Sequence, residues 1–100
     1  MDWESFFFEE PKTDSLKVSR KDNSQVVLSV SFGWARLQAS FLQDLAEKDQ
    51  IAVAEYLGSC VSANILMGNV TVLGCGDDKQ LENRLLEAFR EGFRKRNQFE

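Results

Sequence analysis

The sequence predicts a small α+β domain, a sheet of antiparallel or mixed pairing with helices on one face. Three observations carry this: apolar residues recur at period two in the first third of the chain, they recur at helical period in the middle and at the end, and turn-forming residues separate the runs. The predicted order is an N-terminal β-hairpin, a helix, one further strand and a C-terminal helix. Pro11, the only proline, divides an aromatic-acidic arm (residues 1–11) from a single domain (residues 12–100).

In the arm, Trp3, Phe6 and Phe7 share one face if the segment is a helix capped by Asp2. As a strand, the consecutive Phe6, Phe7 and Phe8 would need cover on both faces. Both readings stand. Leu16 and Val18 then alternate with polar residues, Asp22-Asn23-Ser24 supplies turn chemistry, and Val26, Leu28, Val30 and Phe32 alternate with Ser29 and Ser31. This is the pattern of a hairpin with one buried face. Over 34–41 the residues Ala35, Leu37, Ala39 and Phe41 suit a strand, whereas Leu37, Phe41 and Leu45 suit a helix.

From about Leu42 a helical stripe runs through Leu45, Ala46, Val53, Leu57, Val61 and Ile65, and Asp49 is where a break and a new N-cap fit. Gly68-Asn69 is the expected stop. Val70-Thr71-Val72-Leu73 reads as a short central strand. Asp77 with Gln80 resembles a capping box, and Leu81, Leu85, Leu86, Phe89 and Phe93 form the last amphipathic stripe.

Composition narrows the chemistry. With 43% hydrophobic residues in 100, the chain can bury a core without metals or disulfides. It has no histidine, which removes Ser-His, Cys-His and His-metal chemistry within the chain. No catalysis, cofactor or metal is therefore expected. Two cysteines, Cys60 and Cys75, are expected to be free thiols. Acid stands in Met1-Asp2-Trp3-Glu4, where a secretory signal would carry Lys or Arg. No stretch is apolar enough for a comfortable membrane span, so the cytoplasm is the expected compartment. The net charge of −4 opposes nonspecific attraction to nucleic acid or anionic lipid.

Four places carry residues suited to a site. The helix between Ile51 and Met67 is apolar over more of its circumference than one sheet can cover, and Ala54, Gly58 and Ser62 repeat small residues every four positions. Either other parts of the chain cover the surplus, or Tyr56 and Gly58 belong to a partner interface, a homodimer included. The arm offers Trp3, Phe6 and Phe7 ringed by Glu4, Glu9 and Glu10, suited to a hydrophobic groove with a basic rim unless the arm docks on its own domain. Gly74-Cys75-Gly76-Asp77-Asp78 lacks the third glycine of a dinucleotide loop and reads as a turn with an N-cap. Cys75 near a helix start is a place for a lowered thiol pKa. The basic run Arg94, Lys95 and Arg96 complements the helix macrodipole, and alternatively would hold nucleic acid. The expected function is a noncatalytic protein-binding module, an inhibitor or adaptor of unidentified partner, with nucleic-acid association as the alternative.

Overall fold

Phe6–Glu9 (β1), Leu16–Arg20 (β2), Val26–Ser31 (β3), Trp34–Gln38 (β4) and Asn69–Leu73 (β5) form one five-stranded sheet in the order β1-β2-β3-β4-β5 in the computed structural model. The structure describes residues 5–10, 15–22, 24–31, 33–61 and 69–97. The first four strands make an antiparallel meander, and β5 lies parallel to β4. A parallel neighbour needs a crossover, and the helix Glu47–Ser59 (α1) lies in that connection. The helix Lys79–Arg96 (α2) follows β5. The expected α+β class, with a mixed sheet and its helices on one side, is the observed one.

The described part of the arm is a strand, laid in cis along β2 with Phe6 opposite Arg20 and Phe8 opposite Val18. Period two then separates the three phenylalanines. Phe6 is 4% exposed, Phe8 packs half-buried against the core, and Phe7, on the opposite side, is 50% exposed. Trp3 lies outside the described residues. The hairpin forms as expected, but not with strict alternation. Val18 pairs with Leu28 and Ser19 with Val26, so Val27 is the extra residue of a β-bulge. Val27 and Leu28 are both fully buried, and Val26 is turned to the other face. Ser24 takes the left-handed conformation (φ 60°) that closes the turn, and its N–H donates to the Arg20 carbonyl at 2.8 Å.

Residues 34–38 resolve as strand because β4 has partners on both sides, Leu37 facing Leu28 and Val72. The chain leaves the sheet as a 3-10 turn over Ala39–Leu42. The expected helical stripe is realised in shorter form. α1 begins at Glu47 rather than near Gln50, with Ala46 as a cap residue that donates no side-chain bond and Asp49 inside the first turn, where its charge favours the dipole. It ends at Ser59 instead of Met67; residues 62–68, with the expected stop at Gly68, lie outside the described ones. Among the described residues β5 is an edge strand, not a central one, with only its Val72 buried. The α2 cap sits one residue later than the capping box implied: Asp78 Oδ1 accepts from the Leu81 N–H at 3.0 Å.

The core lies between the sheet and the two helices. Across all five strands the row Phe8, Val18, Leu28, Leu37 and Val72 faces it. Val53, Leu57, Leu85 and Phe89 are fully buried on the helix side. The helices meet backbone to backbone. A Cβ on Gly58 would overlap the Phe89 carbonyl oxygen, and one on Gly92 would overlap the Glu55 carbonyl oxygen. The small-residue ridge of α1 is thus used within the chain, and α2 answers it with a glycine of its own. Glycine inside a helix costs roughly 1 kcal/mol relative to alanine, so its presence at 92 is explained by this close approach.

Candidate binding surface on the open face of the sheet

One side of the sheet is covered by α1 and α2; the other has no covering element among the described residues. An antiparallel sheet tolerates this when its outer side is polar. Here the outer row, one position along from the core row, is Glu9, Lys17, Ser29, Arg36 and Thr71. A second outer row holds Ser31, Trp34 and Asn69. The Arg36 guanidinium stands 4.7 Å over the Trp34 ring, a cation–π contact that two side chains on the same face of one strand can reach.

At the β1–β2 end of this face lies a shallow groove of about 400 Å³. Phe7, Ser19 and Val26 make one cross-strand row of it, Glu9 and Lys17 the next row, and Lys21 lines its other end beyond Ser19. The bulge at Val27 matters here, because it places Val26 on the open face instead of in the core. Glu9 and Lys17 are opposite each other across the strand pair, where unlike charges attract. Phe7 and Leu73, the exposed large hydrophobics of the described residues, stand at opposite edges of the sheet.

Cations elsewhere are largely matched to acids. Arg84 pairs with Glu47, Arg94 with Glu91, Lys79 with Glu82, and Lys95 reaches Glu55 on α1 at 3.0 Å. The Glu55 carboxylate thereby pushes the Lys95 ammonium pKa up. Arg20 is buried and bidentate: its two terminal nitrogens donate to Asp44 at 2.7 and 3.0 Å, and one also donates to the Phe41 carbonyl at 3.1 Å. The hydrogen bonds from Arg20 hold the Asp44 carboxyl below the usual carboxylate range. Among the described residues Lys17, Lys21 and Arg36, all of the open face, form no ion pair, and neither do Lys48, Arg90 and Arg96 on the helices.

The other expected sites fall as follows. Phe6 and Gly58 are buried within the chain, Phe6 under the helices and Gly58 against α2, so neither presents a side to a partner. Tyr56 is half-buried beside Phe8, their ring centroids 6.0 Å apart and nearly perpendicular, and it lines a groove between α1 and α2. Burial pushes the Tyr56 phenol pKa up. In the basic run, Arg94 is engaged by Glu91 and Lys95 by Glu55 of α1. Arg96 stands at the helix end near Cys60.

In the Gly74–Asp78 segment Gly74 packs closely against another part of the chain, whereas Gly76, Asp77 and Asp78 are exposed. Gly74 is at φ 87°, its carbonyl accepts from Gln43 Nε2 at 2.9 Å, and a Cβ there would run into Ser40. Burial, then Glu82 and Asp78, push the Cys75 thiol up, the reverse of the lowering expected near a helix start. Burial likewise raises Cys60. Both cysteines are free. Among the described residues no three His, Cys, Asp or Glu side chains gather as metal ligands, and no helix is long and apolar enough to cross a membrane. No family model, no curated protein and no solved structure matches this chain.

Sequence reasoning missed Lys17, Lys21 and Arg36 because Arg36 stands on a different strand, well along the chain from the two lysines. The available signal was the strand alternation itself: once Leu16, Val18, Ala35 and Leu37 are assigned inward, Lys17 and Arg36 point outward together.

Proposed function

We propose that this chain is a noncatalytic protein-binding module, an inhibitor or adaptor, whose working surface is the open face of the sheet. The observation that carries the reading is Phe7. Its neighbours Phe6 and Phe8 are spent on the chain's own core, whereas Phe7 is held half in water by a paired strand and beside a groove. Aromatic anchors of this kind dominate the energetics of protein interfaces. The binding expected of the central helix is reassigned here, because α2 already occupies its small-residue ridge. Absence of histidine and two thiols pushed away from reactivity support a role without chemistry, and free thiols fit a reducing compartment such as the cytoplasm.

The test is site-specific photo-crosslinking in the native cell. A photoreactive phenylalanine analogue at position 7 is expected to give a discrete protein adduct. The same analogue at Glu87, on the exposed side of α2, is expected to give none. Excess purified chain should compete the adduct away, and the Phe7→Ala chain should not. An adduct to a second copy would make the module a homodimer. No competable adduct at position 7 would overturn the reading.

A further inference from the structure

We infer that the open face takes an extended acidic segment of the partner protein, with one bulky apolar side chain seated between Phe7 and Val26 and carboxylates on Lys17, Lys21 and Arg36. This rests on the protein-binding reading above and names the chemistry of what binds.

Charge distribution is the first ground. The chain as a whole is acidic, at −4, and its cations elsewhere are mostly answered by its own acids. On the open face the cations Lys17, Lys21 and Arg36 outnumber Glu9, the one acid among the described groove residues and the cross-strand neighbour of Lys17, so this face is locally positive in an acidic chain. A locally positive face selects for an acidic partner by charge complementarity. Geometry is the second ground. Lys17 and Arg36 share one cross-strand row on β2 and β4, two strand spacings apart, about 10 Å. Alternate residues of an extended peptide face the same way about 7 Å apart, so acidic side chains at i and i+2 reach both cations through the length of the Lys17 and Arg36 side chains. Glu9 closes the row at the β1 end and directs the acidic residues toward β4. The groove row of Phe7, Ser19 and Val26 has room for a single large apolar side chain at the end of the segment.

A nucleic-acid strand fits less well. Stacking platforms need free aromatic faces in series, and the Trp34 ring here already carries the Arg36 guanidinium. Glu9 in the row would also repel phosphate.

The experiment is panning of a displayed random peptide library on the intact chain, followed by affinity measurement on the enriched peptides. It is paired with a titration of the 12-mer oligothymidylate. Enrichment of acidic peptides with one Phe, Leu or Trp is expected. The double variant Lys17→Gln, Lys21→Gln should weaken them roughly tenfold, since each charge at an interface rim is worth about 1 kcal/mol or less. Phe7→Ala should weaken them by a further tenfold or more. Both variants change exposed side chains, and retention of the parental thermal midpoint verifies their folding. Enriched peptides that are neutral or basic, or that bind the double variant as well as the parent, would overturn this inference and leave the protein-binding reading standing. No enrichment, or oligothymidylate binding in place of peptide binding, would overturn both.

Discussion

Two rows of residues, one position apart along the same five strands, divide the molecule. The inner row, Phe8, Val18, Leu28, Leu37 and Val72, is covered by two helices; the outer row, Glu9, Lys17, Ser29, Arg36 and Thr71, has no cover among the described residues. The inner face concentrates the apolar burial that holds the domain together, and each of its groups depends on its neighbours. The outer face contributes little to that burial and is therefore free to vary in chemistry. The two faces should respond to substitution in opposite ways, stability on one and binding on the other, and β1 offers the sharpest comparison because adjacent phenylalanines belong to different faces.

The largest expected effect is on the covered side. Phe6→Ala should cost about 3 kcal/mol in denaturant unfolding, the usual order for removing a buried aromatic ring. Phe6 is almost fully buried, and it also ties the edge strand to the sheet opposite Arg20. A loss below about 1 kcal/mol would mean that β1 is held by its backbone pairing alone.

Next comes the seam between the helices. Gly92→Ala gains helix propensity, yet its methyl would overlap the Glu55 carbonyl, which is backbone and cannot swing aside. The net result should be a loss of about 2 kcal/mol, within the usual range for overpacking. Alanine at Gly76, with nothing nearby, meets no such obstacle, though its φ of 59° is itself unfavourable for alanine. A stabilised Gly92→Ala variant would show that the helices can separate without loss.

How much of this was legible beforehand depended on whether a feature is periodic. Leu16 and Val18, and Leu81 through Phe93, repeat at the period of their own element, so the hairpin and the last helix could be read directly. The bulge at Val27 could not, because Val26-Val27-Leu28 is apolar throughout and the choice of which valine faces inward is made by the pairing with β2. Likewise Val70 and Val72 suggested a central strand, but an edge strand facing a core on one side needs the same alternation. Of the candidate surface, the aromatic arm was visible and its division between two faces was not. The cation set assembled from β2, the following turn and β4 exists only after folding.

A smaller effect is expected at the Arg20–Asp44 pair, which joins the strand end to the segment before α1. Asp44→Asn leaves the buried guanidinium with only the longer Asp22 pairing at 3.4 Å, and Asp44 itself is 60% exposed, so the loss should be about 1 kcal/mol. The pH dependence has a definite sign. Hydrogen bonding from Arg20 lowers the Asp44 pKa on folding, so unfolding takes up a proton in acid. The pair's contribution is complete above about pH 4 and fades as the pH falls through the lowered value. The gap in stability between parent and Asp44→Asn should therefore be constant near neutrality and shrink in acid. A gap that widens below pH 4 would contradict this assignment.

The smallest expected change in stability is also the one that tests the division of the molecule most directly. Phe7→Ala removes a ring that is already half in water and touches the sheet only over Ser19 and its neighbours, so its unfolding free energy should stay within about 0.5 kcal/mol of the parent. A strand alternates its side chains regardless of their identity, so nothing about folding requires phenylalanine at that position rather than a polar residue. If Phe7→Ala proves as costly as Phe6→Ala, the ring is structural and the outer face loses its anchor. If stability is unchanged while the position-7 adduct disappears on competition with the parent chain only, then the aromatic side chain has been kept outward at the expense of solubility, and recognition of a partner is the physical reason for keeping it there.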